Sequence, residues 1–134
     1  DLWEGHKAVH GGAIPLLMVV AFVPRPEPFE FEIHQVSAWP MRDLKLDPEF
    51  DRDCEVHTRE PERLRARLQD PELREAVRRW AQPRRAYGFY WATWAEHHRV
   101  RASIADAHTG KGVDSLLTAA REGAALARRL SRPE

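Results

Sequence analysis

LKLDPEFDRDCEVHTREPERLRARLQDPELREAVRRW, residues 44–80, decides the fold. It reads as a strand-like lead-in with Leu44 and Leu46, a short strand, then two helical stretches each opened by a proline. Asp47-Pro48 and Asp70-Pro71 punctuate it. A residue before proline is pushed out of the helical basin, and proline at the first helical position gives up an amide that had no partner anyway. Asp70 is therefore the predicted N-cap, with Pro71 the first helical residue and Glu72 near the positive end of the helix dipole. Glu60-Pro61-Glu62 repeats the arrangement with a weaker cap. Leu64 and Leu68 sit four apart between these prolines. Beyond Pro71, the residues Leu73, Ala76, Val77 and Trp80 share one helical face. Cys54 and Val56 alternate with Glu55 and His57, the pattern of a short strand with one face in the core.

Working outward, Gln82-Pro83 ends the second helix. Residues 87–106 read as a hairpin turning at Glu96-His97, which pairs Ala95 with His98, Thr93 with Val100, Trp91 with Ala102 and Phe89 with Ile104. One face then carries Phe89 and Trp91 above the aliphatic partners. The other carries Tyr90, Ala92 and Trp94 against Arg99, Arg101 and Ser103. Residues 113–130 form an amphipathic helix whose polar stripe is Asp114, Thr118, Arg121, Arg128 and Arg132, broken only by Ala125. Leu116, Ala120, Gly123, Ala127 and Leu130 lie opposite, flanked by Leu117 and Ala124, with Gly110 and Gly112 at its start. Upstream, residues 2–10 are a strand stopped by Gly11-Gly12. Residues 14–23 are apolar on both faces and belong inside the sheet. Pro24, Pro26 and Pro28 stiffen the connection to a half-buried strand in which Phe29, Phe31 and Ile33 alternate with Glu30, Glu32 and His34. Trp39-Pro40 breaks that strand.

These elements predict one α+β domain over residues 1–134: a two-layer, mostly antiparallel sheet of about six or seven strands, packed by the long C-terminal helix and two short central helices. The length suits a single domain with a real core. Lys and Arg number 21 and so do Asp and Glu. No net charge draws the chain toward nucleic acid or an acidic membrane. Heavy use of Arg, Ala, Leu and Pro with few Lys points to a GC-rich bacterial gene. One cysteine excludes an internal disulfide framework and fits a reducing compartment. The apolar run at residues 13–23 contains Pro15 and falls short of the roughly 20 residues a spanning helix needs. It also lacks the basic flank of a signal peptide. The chain is expected to be a domain excised from a longer protein.

DPEF at residues 47–50, CEVHT at 54–58, EPERLRARL at 60–68 and DPELREAV at 70–77 together resemble a known pattern, "D-P-x-F … V … L-x-P-x-L". It belongs to the uncharacterised bacterial family domain of unknown function 3137 and its relatives. The likeness follows the element order over about residues 1–130, with its motifs confined to 47–77. It departs at Cys54, where a bulkier apolar residue is usual, and at Asp70-Pro71, where Thr-Pro or Ser-Pro is commoner. The resemblance implies a fold, and transmembrane helices ahead of a soluble domain. It supplies no active site.

Seven histidines raise metal binding as a hypothesis. On a strand, His6 and His10 share a face but lie about 13 Å apart at ~3.3 Å per residue. His97 and His98 are expected to point apart in a turn. A site across strands, joined by His34 or His108, stays open, but surface histidines are the ordinary reading and no metal is assigned. Asp47, Glu49, Asp51 and Asp53 alternate like calcium ligands, yet Pro48 stands among them, glycine is missing, and Thr58 falls where a bidentate Glu belongs. They read as turn and capping residues. Cys54 reads as a buried structural thiol. Ser37, Ser103, Ser115 and Ser131 lack a nucleophile-elbow context, and Gly110-Lys111-Gly112 lacks the spacing of a phosphate loop. Arg78, Arg79, Arg84 and Arg85 are a solvated face, with Glu75 placed four before Arg79 for an ion pair. No catalytic residue and no cofactor is assigned.

The hairpin face with Tyr90, Trp94, Arg99 and Arg101 is the assigned contact surface, because aromatic area beside cations is enriched at interfaces. The expected function is a non-catalytic interaction domain that self-associates or binds a protein partner. It would sit in the cytoplasm at the inner face of a membrane through segments outside this chain. The alternative is a carrier of a small apolar ligand held between helix and sheet by Phe31, Phe89, Trp91 and Leu117.

Overall fold

The computed structural model describes residues 2–9, 12–82, 91–105 and 110–133, with side chains at 18–82, 92–104 and 113–133. The chain is α+β. Its strands are β1 (Leu2–Val9), β2 (Gly12–Phe22), β3 (Phe31–Gln35), β4 (Cys54–Thr58), β5 (Trp91–Glu96) and β6 (Arg99–Ala105). Its helices are α1 (Pro48–Asp53), α2 (Pro61–Arg67), α3 (Pro71–Ala81) and α4 (Gly110–Leu130). The strands form an antiparallel sheet in the order β1-β2-β6-β5-β3-β4. Among the described residues no helix is long and apolar enough to cross a membrane.

Helix starts follow side-chain chemistry. The Asp70 carboxylate accepts the amide of Glu72 at 3.0 Å, and Asp47 accepts that of Phe50 at 2.8 Å. Glu60, too long to curl back, makes no such bond. The cap at Asp47 opens α1, a helix absent from the sequence reading, where Leu44 and Leu46 led directly toward the strand. Leu44 is buried and Leu46 packs on the core, but neither belongs to a strand. Their segment instead seals the outer edge of β4. The Asp43 amide donates to the Val56 carbonyl at 2.9 Å, and the Asp43 carboxylate accepts the Thr58 amide at 2.9 Å. Covering an edge strand removes a template for stray pairing.

Helices α3 and α4 pack against the sheet and against each other, α3 over β5 and β3, α4 over β2 and β6. Ile33, Val56, Ala95, Val100, Ala102 and Ile104 face them and are buried with Leu73, Val77, Leu126 and Leu130. Gly123 is a point of close approach. A Cβ there would lie 3.3 Å from the Trp80 indole, whose Nε1–H is already committed to the Trp94 carbonyl at 3.2 Å. Thr93 Oγ donates to the Trp80 carbonyl, a second tie between α3 and β5. The buried stripe of α4 runs through Ser115, Leu116, Ala119, Gly123, Leu126, Ala127 and Leu130, rotated from the expected one, so that Leu117 is about half exposed. The end of α4 is anchored by Arg67, whose guanidinium donates to the carbonyls of Arg129 and Ser131 and pairs with Glu27. A cation at a helix C-terminus satisfies carbonyls that have no partner within the helix.

The hairpin turns one residue later than expected, at His97-His98, so that Ala95 pairs with Val100, Thr93 with Ala102 and Trp91 with Ile104. Each partner moves by two positions, and a shift of two preserves the faces. Thr93, Ala95, Val100, Ala102 and Ile104 lie on the helix-covered side as read from sequence. Phe89 falls outside the described residues.

Candidate functional site

Strands β4, β3, β5 and β6 turn their alternate side chains away from the helices. In β4 these are Glu55 and His57, because Cys54 and Val56 enter the core. In β3 they are Glu32 and His34, flanked by buried Phe31 and Ile33. The register then sets neighbours: His34 stands opposite Glu55 on one side and Trp94 on the other, Trp94 opposite Arg101, and Phe22 of β2 opposite Arg99. Glu32 stands between His57 and Glu96.

Two buried carboxylates organise this open face. Glu96 is 7% exposed and forms ion pairs with Arg101 at 2.6 Å and Arg99 at 3.0 Å. Arg101 also lies 4.5 Å over the Trp94 ring and reaches toward Glu32 at 3.9 Å. Phe22, opposite Arg99, is 61% exposed. A groove of about 530 Å³ is lined by Glu32, His57, Thr58, Glu96, Arg99 and Arg101.

Glu55 is 4% exposed. Its Oε1 accepts the amide of Ser37 at 3.1 Å and the Ser37 hydroxyl at 2.6 Å. Its Oε2 accepts His57 Nε2–H at 2.7 Å and lies 3.8 Å from His34 Nε2. The two imidazoles stack with centroids 5.2 Å apart. Burial alone would raise the Glu55 carboxyl, but the two Ser37 hydrogen bonds, the one from His57 and the proximity of His34 outweigh it. The group is pulled down to about 2. A carboxylate so held stays ionised and calls for cationic or donor neighbours.

Of the four assigned contact residues, Trp94, Arg99 and Arg101 come together on this face, and Tyr90 lies outside the described residues. The sequence reading passed over Glu55 and His57 as a site. Their Glu-x-His spacing on the outward side of a strand was the available signal, and only the β3–β4 register adds His34 to it. The turn histidines do not point apart: the His97 and His98 rings lie 4.5 Å from each other at 50°. Burial and the charge of His97 lower His98 below the usual imidazole value.

The other sequence candidates are absorbed by structure. Asp47 caps α1 and pairs with Arg74 at 3.0 Å, and Asp51 accepts the Leu46 amide. Asp53 binds Arg78 at 2.8 Å and Gln82 at 3.2 Å. Arg78 is held in turn by Glu75 at 2.6 Å, and Arg79 reaches the same carboxylate at 3.2 Å. Arg84 and Arg85 lie outside the described residues. Cys54 is a free, buried thiol, and burial with neighbouring acids raises it far above the ordinary range. Of the residues expected to line an apolar cavity, Phe31 is in the core and Leu117 is about half exposed. The Phe89 and Trp91 side chains are outside the described set.

No protein-family model, curated protein sequence or solved structure matches this chain.

Proposed function

We propose that this chain is a non-catalytic interaction domain: a two-layer α+β unit of six strands that binds a second copy of itself through the side of the sheet turned away from its helices. One observation carries the reading. Trp94 lies beneath Arg101 on an open face that also exposes Phe22 beside Arg99. Aromatic area rimmed by arginine is the composition of interface centres rather than of ordinary surface. The same patch carries Glu32 and Glu96 next to Arg99 and Arg101, so it presents both signs of charge at short range. A two-fold axis can set such a patch against its own copy with acids facing arginines. The likeness of residues 47–77 to the family domain of unknown function 3137 is part of what we read in favour of a domain without an active site. We propose a bacterial cytoplasmic location, which the single cysteine supports.

Light scattering over a concentration series tests this. The parent protein is expected to rise from monomer toward dimer mass, and Trp94→Ala or Phe22→Ala to shift that rise to roughly tenfold higher concentration or more, the usual scale for a central aromatic. A parent that stays monomeric throughout, or variants that dimerise like the parent, would remove the reading.

A further inference from the structure

We propose that His34, Glu55 and His57 form a binding site for a single divalent transition-metal ion, zinc by donor preference. Their ligand atoms, one imidazole nitrogen from each histidine and one carboxylate oxygen, all lie within 4.8 Å of one another. In a tetrahedral zinc site with bonds of ~2.0–2.1 Å, ligand atoms stand about 3.4 Å apart. The distances from Glu55 Oε2, 2.7 Å to His57 Nε2 and 3.8 Å to His34 Nε2, straddle that value. Small side-chain rotations are enough to close the set around an ion.

The orientation of each donor supports the assignment. His34 Nδ1 donates to the Gln35 carbonyl at 2.7 Å, which leaves Nε2 as the nitrogen with a lone pair. That lone pair faces an ionised carboxylate oxygen, an arrangement that repels unless a proton or a cation lies between. The hydrogen bond from His57 accounts for one of the two imidazoles against Glu55 Oε2, and the other needs a proton or a cation between it and the carboxylate. A metal ion would replace the His57 Nε2 hydrogen, the remaining ring proton sitting on Nδ1, and would satisfy all three groups at once. A histidine ligand whose second nitrogen is tied to a backbone carbonyl, and a carboxylate whose second oxygen is pinned by its neighbours, are the usual supports of such ions. Ser37 supplies the latter through its amide and hydroxyl. Two nitrogens and one oxygen suit zinc and its neighbours in the transition series far better than calcium or magnesium.

Three ligands leave at least one coordination position for water or an incoming group. The His34 and His57 side chains are 21% and 37% exposed, so in the single chain that position faces solvent. The assignment does not depend on self-association, since all three ligands come from one chain.

Calorimetric titration of metal-stripped protein with Zn²⁺ tests it. One equivalent is expected to bind, and His34→Ala and His57→Ala are each expected to weaken binding by at least about tenfold. His98→Ala, which alters the other imidazole pair, should leave affinity unchanged. In the unaltered protein, Zn²⁺ should shift the ring resonances of His34 and His57 by NMR, a readout that needs no variant to fold. Absence of stoichiometric binding, ring shifts confined to other histidines, or affinity that follows His98 instead would overturn the site.

Discussion

The two sides of the sheet are built from the same strands, residue by alternate residue, and are held by different physics. On the covered side Ile33, Val56, Ala95, Val100, Ala102 and Ile104 lose their water to helices α3 and α4. Stability there comes from removed apolar area and close packing, which is spread over many contacts and needs no particular partner. On the open side Glu55 and Glu96 lie buried among groups that bond them, and each neighbour has a specific atom to satisfy. Loss of area is graded. Loss of a partner to a buried carboxylate is abrupt, because the charge stays behind.

Adjacent residues of β3 separate the two faces most directly. Ile33→Ala, at a position 1% exposed, should cost about 2–5 kcal/mol by urea denaturation. His34→Ala, one residue on and facing the other way, leaves Glu55 its hydrogen bonds from Ser37 and His57 and should cost less than about 1 kcal/mol. Comparable losses would mean that the faces are not mechanically distinct. Next in size is Glu55→Gln, which keeps the shape but weakens the bonds from Ser37 and His57. It is expected to cost about 1–3 kcal/mol near neutral pH.

This variant also carries a pH signature. With its folded value near 2 and an ordinary value of 4.5, Glu55 binds its proton more readily in the unfolded chain. Its contribution is therefore complete above about 4.5 and is lost as the pH falls toward 2, a window in which the parent should weaken more steeply than Glu55→Gln. Parallel acid denaturation curves would contradict the assignment. The smallest effect is expected for Arg99→Ala. Its side chain is 37% exposed and Arg101 still holds Glu96, so the loss should stay within about 1 kcal/mol.

How far each side could be read from sequence follows the same division. Apolar alternation at Phe31 and Ile33, and at Cys54 and Val56, identified the covered face, since a local pattern records which way a side chain points. Asp70-Pro71 located the start of α3 because capping is decided within four residues. Asp47-Pro48 carried the same local signal for α1. That six-residue helix has a single buried residue, Phe50, too little periodicity to separate it from a turn. The alternation alone sets the hairpin one residue early, because His97-His98 contains none of the glycine or asparagine that marks a tight turn. The rotation of α4 that exposes Leu117 was hidden by a run of alanines on two adjacent faces. The open-face site was least legible. His34 and Glu55 meet through a cross-strand register, and that register is set by the loop and helix between β3 and β4. No pattern within either strand fixes it.

The docking of Trp80 against Gly123 gives the protein a built-in optical gauge. Trp80 is 4% exposed and Trp39 is 90% exposed, so one indole should emit at short wavelength and the other should yield readily to a soluble quencher. Detachment of α4 would move the first toward red emission while leaving the second unchanged. With Trp3, Trp91 and Trp94 replaced by phenylalanine, loosening of that helix can be followed by light.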